Sequence, residues 1–185
     1  MRKTRTVLLS GGVDSTTLLA LCAQQNPAGI GALFVDYGQA ASTHEREAAG
    51  AASAFYDVEL REVRVDIGPV CDGEIQGRNA LLVHLALASV GPHAGTIFLG
   101  IHAGTAYRDC SPAFVQTMQL SLDAHRNGAL QLAAPFVEWS KAEVYAFARD
   151  LKVPFEITYS CEAGTEPPCR RCRSCKDRRA LDAAT

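Results

Sequence analysis

No stretch of this chain reaches the roughly 18 consecutive apolar residues that a membrane-spanning helix needs. The first residues, Met-Arg-Lys-Thr-Arg, lead into an apolar run over 6–9 that Ser10-Gly11-Gly12 cuts off. That run is too short for the core of a secretory signal, so a cytoplasmic protein is expected. Net charge is almost absent as well: 18 Lys+Arg against 20 Asp+Glu leave −2. Such a balance gives no global argument for nucleic acid or a membrane surface as a partner. Internal repeats and low-complexity tracts are missing, which excludes a repeat array. What remains is ordinary globular composition, 48 % hydrophobic and 21 % charged, which argues against disorder. A chain of 185 residues fits one domain, 1–185, and can bury a core without disulfides.

The hydrophobic pattern alternates between two periods. Short apolar runs over 6–9, 30–35 and 59–65 read as strands, and helical spacing fills 14–24 and 44–55 between them. A strand–helix–strand–helix–strand order predicts an α/β fold with a parallel sheet and helices on both faces. The stretch 67–77 reads as a loop, 80–90 as a buried helix, 96–101 as a strand, 112–123 as a helix and 130–133 as a short strand. Ser140-Lys141-Ala142-Glu143 matches a capping box and opens a helix to about Leu151, which Pro154 stops. The remainder reads as loop, cysteine tract and a short basic tail.

The sharpest local feature is Ser10-Gly11-Gly12-Val13-Asp14-Ser15-Thr16-Thr17, between the first strand and the first helix. Glycines there admit positive φ and close approach of an anion, and free N–H groups at a helix start favour phosphate. The hydroxyls of Ser10, Ser15 and Thr16 add donors. The string lacks the Gly-Lys-[Ser/Thr] ending of a Walker loop and is not Gly-x-Gly-x-x-Gly. The plainer alternative is a tight turn with Asp14 or Ser15 as N-cap.

The seven cysteines are unevenly placed. Cys22, Cys71 and Cys110 stand alone, whereas Cys161, Cys169, Cys172 and Cys175 crowd together. Four thiolates in overlapping Cys-x-x-Cys units suit a closed tetrahedral Zn²⁺ site of structural role, with an iron–sulfur cluster as the competitor. The basic residues around them, Arg170, Arg171, Arg173, Lys176, Arg178 and Arg179, lack interleaved aromatics. Compensation of thiolate charge therefore explains them better than a nucleic-acid patch. Among single residues, His84 and Cys22 read as core, Trp139 as packed on the sheet and Cys71 as an exposed thiol.

The glycine string resembles the Ser-Gly-Gly-x-Asp-Ser signature of the PP-loop pyrophosphatases. Together with Asp36-Tyr37-Gly38-Gln39, Gly77-Arg78-Asn79, Asp109-Cys110, Ser140-Lys141-Ala142-Glu143, Thr158-Tyr159-Ser160-Cys161 and the cysteine tract, it is similar to the QueC family, the 7-cyano-7-deazaguanine (preQ0) synthases. The resemblance runs from about Val7 to Leu181. It implies a Rossmann-like, adenine nucleotide alpha hydrolase-like fold with a zinc-binding segment over 158–185. It implies ATP and Mg²⁺ as cofactors, beside Zn²⁺, and 7-carboxy-7-deazaguanine as substrate. Its carboxylate is adenylated with release of pyrophosphate. Ammonia displaces AMP to give an amide, and a second ATP activates the amide oxygen so that AMP leaves a nitrile.

By the same resemblance Leu9, Ser10, Gly11, Gly12, Val13, Asp14, Ser15 and Thr16 hold ATP phosphates, with Asp36 lining the nucleotide site. Ser10, Asp14 and Lys141 serve catalysis; Arg78, Asn79 and Asp109 meet substrate; Cys161, Cys169, Cys172 and Cys175 hold the metal. A homodimer is implied. The chain departs from the family pattern at Gln76, where Pro is usual, at His102, where Asn is usual, and at Ser111, where Arg is usual. The segments 65–77 and 102–108 are shortened. Two alternatives stand beside the synthase reading. One is a QueC-like ligase of a defence operon that joins the adenylated deazaguanine to a protein amine. The other is a nucleotide- or RNA-binding module without turnover.

Overall fold

A computed structural model of the chain describes residues 4–26, 29–68, 75–91, 93, 95–105 and 107–183. Cys71 and most of the 67–77 loop lie outside the described residues. Five strands form one wholly parallel sheet: β1 (Thr4–Leu8), β2 (Ile30–Asp36), β3 (Glu59–Arg64), β4 (Gly95–Phe98) and β5 (Leu130–Ala133), in the order β3-β2-β1-β4-β5. Helices α1 (Val13–Gln25), α2 (Ser42–Phe55), α3 (Arg78–Ser89), α4 (Pro112–Arg126), α5 (Lys141–Asp150) and α6 (Arg173–Ala183) make the connections and the C-terminal segment. This is the Rossmann-like arrangement expected from the alternating pattern.

Side-chain alternation along the strands divides the core into two layers. Leu8, Leu33, Val35 and Ile97 pack with Val83 of α3 and Leu122 of α4. Val7, Leu9, Ala32 and Phe34 pack with Leu18 and Leu19 of α1, Ala49 and Ala52 of α2 and Val144 of α5. Helix α1 is sandwiched most tightly, and eight of its thirteen residues are buried. Cys22 is fully buried there, as expected, and burial pushes its thiol up to about 11. The outer strand β3 carries exposed Glu59, Arg61, Glu62 and Arg64; charge on an open edge discourages pairing with another chain.

The structure corrects three sequence expectations. The strand expected over 96–101 ends at Phe98. Its neighbours end at Leu8 and Ala133, and the next residues instead close on α1. A Cβ at Gly100 would stand 3.3 Å from the Asp14 carbonyl oxygen and the Ser15 Cα. The apolar run over 80–90 is only half-buried; in α3 only Asn79, Val83 and Ala86 are buried, because one face alone meets the sheet. The tail is not loop. Phe155–Ile157 forms a 3₁₀ turn and Arg173–Ala183 forms α6, which has no buried residue. With no apolar stripe, α6 has no periodicity to announce it.

His84 is satisfied as expected, with Ala80 O at 2.8 Å and Ser121 Oγ at 3.0 Å. Trp139 packs at 5.2 Å from Phe136 and 5.3 Å from Phe147, between ring centroids.

Strands β2 and β3 extend the sheet to one side of β1, while β4 and β5 extend it to the other. The strand order therefore reverses between β1 and β4, and that is where open α/β sheets leave a crevice at their C-terminal edge. The glycine loop leaves β1 at this point. Gly11 has φ +76°, and a Cβ there would lie 2.6 Å from Ala48 Cβ and from the Ala49 amide nitrogen of α2. Gly12 is extended, and its nearest neighbours would be 3.6 Å from a Cβ. The two glycines therefore do different work. Gly11→Ala is expected to cost about 2 kcal/mol or more, and Gly12→Ala about 1 kcal/mol or less. Urea denaturation of the two variants checks this, and equal losses would refute it.

Candidate active site

The loop after β1 is braced by hydroxyls. The Ser10 amide donates to Ser15 Oγ at 3.2 Å, the Ser10 and Ser15 hydroxyls lie 3.1 Å apart, and Ser15 Oγ donates to the Gly12 carbonyl at 3.1 Å. Ser15 thus shapes the loop from within. The N-cap of α1 is Gly12, with no side-chain cap. This sets aside Asp14 or Ser15 as the cap. The Asp14 carboxylate is free to turn elsewhere: its Oδ2 accepts from Lys141 Nζ at 3.1 Å. Its Oδ1 is buried without a hydrogen-bond partner among the described residues, as is Thr16 Oγ1.

Lys141 reaches Asp14 because α5 starts where the sequence says. Ser140 Oγ accepts the Glu143 N–H at 3.3 Å, and Glu143 Oε2 accepts the Ser140 N–H at 2.7 Å, completing the capping box. Those bonds hold the Glu143 carboxyl below its ordinary pKa. Ser10, Gly12, Val13, Asp14 and Lys141 border a cleft of about 890 Å³, together with Arg78, Asp109, Tyr159 and Arg178. A smaller cavity of about 150 Å³ lies beside it, lined by Leu9, Phe34, Tyr37, Gln39, Glu45 and other residues.

The expected substrate residues divide. Arg78 borders the cleft at the start of α3, where Gly77 has φ +76°. Asn79 is buried and spent internally: its N–H donates to Asp109 Oδ2 at 3.2 Å and its Nδ2 to the Asp109 carbonyl at 3.0 Å. Asp109 is thereby fixed at the cleft wall.

Asp36 lines neither the cleft nor the cavity. Its Oδ1 accepts the Gly38 N–H at 3.0 Å, which makes the turn after β2. Slight burial pushes the Asp36 carboxyl up, but Gly38, Ser42, Arg64 and Arg46 outweigh it and the pKa falls below its ordinary value. Its neighbours turn inward instead. Gln39 Oε1 accepts the Tyr37 N–H at 2.9 Å, and Gln39 Nε2 donates to Glu45 at 2.9 Å. Burial raises the Glu45 pKa.

Glu45 escapes sequence reasoning, and His102 enters it only as a departure from the family's usual Asn. Glu45 looks like one more helix carboxylate, and only the packing of α2 against Gly11 brings it in. His102 lies at the end of a strand-like run, and its Nε2 stands 3.7 Å from Asp14 Oδ2.

The four sulfurs of Cys161, Cys169, Cys172 and Cys175 lie within 4.8 Å of one another. Tetrahedral zinc with Zn–S near 2.3 Å needs sulfurs about 3.8 Å apart, so a small contraction around one ion suffices. The backbone already points N–H groups at sulfur: Cys169 to Cys161 at 3.3 Å, Cys172 to Cys169 at 3.3 Å and Cys175 to Cys172 at 3.4 Å. Burial pushes the Cys161 thiol up, but amides of Cys169 and Thr165 outweigh it and bring it down to about 5. Burial, and the hydrogen bond its S–H donates to Cys172, push Cys175 up to about 12. A cation at the centre would take the place of the protons that these crowded sulfurs otherwise carry. The cluster can hold a metal such as zinc.

This segment lies over the glycine loop. The Tyr159 N–H donates to the Gly11 carbonyl at 3.0 Å, and the Tyr159 ring stacks on His44 at 4.9 Å. Gly164 (φ +64°) presses on the Ala40 backbone too closely for any Cβ. Two of the basic residues are structural ties: Arg178 donates to Thr158 Oγ1 at 2.9 Å and Phe155 O at 3.2 Å, and Arg173 stands 5.9 Å over the Tyr107 ring. Removing the metal by chelation, or substituting Cys172→Ser, is expected to speed hydrogen exchange at the Tyr159 amide while leaving amides of β1 and β2 protected. Unchanged exchange at Tyr159 would show that the cysteine cluster does not brace the loop.

A family model described as "Queuosine biosynthesis protein QueC" matches residues 4–74 and 70–183. The 7-cyano-7-deazaguanine synthase of Synechococcus sp. (strain RCC307) is 35 % identical over 97 % of this chain and 94 % of that protein. Those of Methanospirillum hungatei and Aquifex aeolicus are 33 % and 32 % identical, over 91 % and 93 % of this chain and 89 % and 93 % of theirs. A crystal structure described as a predicted subunit of tRNA methyltransferase from Methanocaldococcus jannaschii shares the fold, with a TM-score of 0.55 at 15 % identity over 80 % of this chain and 75 % of that one. Coverage of most of both chains at this identity makes the assignment plain: the chain belongs to the QueC family.

Proposed function

We propose that this chain is a 7-cyano-7-deazaguanine synthase that uses ATP to convert 7-carboxy-7-deazaguanine and ammonia into the nitrile, with AMP and pyrophosphate released. Curated relatives of that name span most of the chain. The observation that carries the reading is the Lys141–Asp14 pair, 3.1 Å apart, at the mouth of the glycine loop. It places one cation and one anion where a helix N-terminus already favours phosphate.

In this reading the substrate carboxylate attacks the α-phosphorus of ATP and pyrophosphate leaves. Backbone N–H groups of 10–16 and the Lys141 ammonium take up the charge that develops on the departing phosphates. Ammonia adds to the acyl carbon and AMP leaves, giving the amide. The amide oxygen then attacks the α-phosphorus of a second ATP and pyrophosphate leaves; loss of AMP with the nitrogen's two protons gives the nitrile. Asp109, fixed by Asn79, faces the substrate with Arg78.

Mg²⁺, when bound, offsets phosphate charge and orients the leaving group. Asp14 is the residue that would hold it: a buried carboxylate oxygen without a partner suits a hard cation. The cysteine cluster takes zinc with four sulfurs and no open position, so its role is to brace the loop. The working unit is a homodimer.

Incubation of the protein with Mg-ATP, 7-carboxy-7-deazaguanine and ammonium, followed by mass spectrometry, tests this. AMP, pyrophosphate and the nitrile are expected together. AMP without nitrile would retain adenylation and refute the acceptor; no AMP would refute the enzyme. Lys141→Ala is expected to slow AMP formation about 10²–10³-fold with an unchanged denaturation midpoint, and near-normal AMP formation would remove Lys141 from the chemistry.

A further inference from the structure

His102 follows β4 and is only 4 % exposed, yet the steps above do not use it. Its ring is held from two sides. Nδ1 accepts the Gly104 N–H at 3.0 Å, so the proton of the neutral ring sits on Nε2. That nitrogen faces Asp14 Oδ2 at 3.7 Å, the oxygen that also takes Lys141 Nζ. The surroundings leave the ring little room. A Cβ at Gly104 would fall 3.0 Å from His102 Nδ1 and 2.9 Å from the Lys141 amide nitrogen. The Ala103 N–H, bonded to Trp139 O at 2.8 Å, ties the same turn to the approach to α5.

Charges face the ring from three helices: Asp14 of α1, Lys141 of α5, and Asp177 and Arg173 of α6. A protonated ring would direct an N–H at the Gly104 N–H and break that bond. His102 is therefore a fixed donor and not a proton acceptor.

We propose that His102 is a positioning residue for Asp14. Its Nε2–H and the Lys141 ammonium together hold Oδ2, which leaves the partnerless Oδ1 as the oxygen offered to the divalent cation. The 3.7 Å separation is longer than a hydrogen bond, so the Nε2–H acts on Oδ2 as an electrostatic contact in a buried setting. This inference rests on the reading of the cleft as a Mg-ATP site.

A Gln side chain can bring an amide donor to the place of Nε2. A Leu side chain brings bulk and no donor. His102→Gln is thus expected to keep the magnesium requirement of AMP formation within about 3-fold of the parent protein, and His102→Leu to raise it about 10-fold or more. Equal effects of the two variants, or the reverse ranking, would overturn the proposal.

Imidazole ¹⁵N spectra of the parent protein supply a readout independent of turnover. A protonated Nε2 whose signal moves in Asp14→Asn is expected; an Nδ1–H tautomer or an unmoved signal would overturn it. If the parent protein forms no AMP, the synthase reading fails, and the spectrum alone decides whether His102 pairs with Asp14.

Discussion

The glycine loop has no freedom of its own, and the rest of the site depends on that. Gly11 is wedged against α2 with no space for a side chain, and its carbonyl is taken by the amide of Tyr159. A loop fixed on one side by a helix and on the other by the C-terminal segment presents the amides of α1 in one orientation. Preorganised donors of this kind do not have to reorient when charge develops on a ligand. The arrangement also explains why the cysteine cluster, which offers no open metal position, belongs to the architecture of the cleft.

Charge in the cleft is arranged in opposed pairs. Lys141 meets Asp14 from across the switch point, and Asn79 fixes Asp109 beside Arg78. Each pair joins elements far apart in sequence, so the geometry needs the whole sheet behind it. Capping does the fine aiming: Ser140 and Glu143 set where α5 begins, and the start of α5 sets where the Lys141 ammonium can reach.

Much of this was legible in the residues. The strand at 130–133 stands where its pattern put it, and the capping box at Ser140 formed with both bonds. The cysteine spacing alone gathered four sulfurs. Legibility failed where tertiary partners decide the outcome. Phe98 ends a strand whose apolar run continues, because β5 stops level with it and β1 runs only one residue further. Helix α6 has no apolar stripe and is secured by Arg178, whose bonds to Phe155 and Thr158 no periodicity encodes. Asp36 seemed placed for a nucleotide because it ends β2, but its short side chain bends back to the Gly38 amide, and the longer Gln39 turns inward in its stead. Glu45 carries no motif in its immediate surroundings, and His102 stands out only as a departure from the usual Asn; the partners of both appear only once helices are packed on the sheet.

The bond between Gly11 and Tyr159 has a consequence for the order of synthesis. A ribosome releases the glycine loop first and the cysteine segment long after, so the nascent chain carries the loop without its cover. Helices α1 and α2 can dock on β1 and β2 early, because their contacts are local. The cleft, by contrast, gains its last wall only when the cysteines emerge and close over residues 11 and 40. The cleft is therefore finished only after the cysteine segment has been made, and a chain interrupted before it lacks that wall.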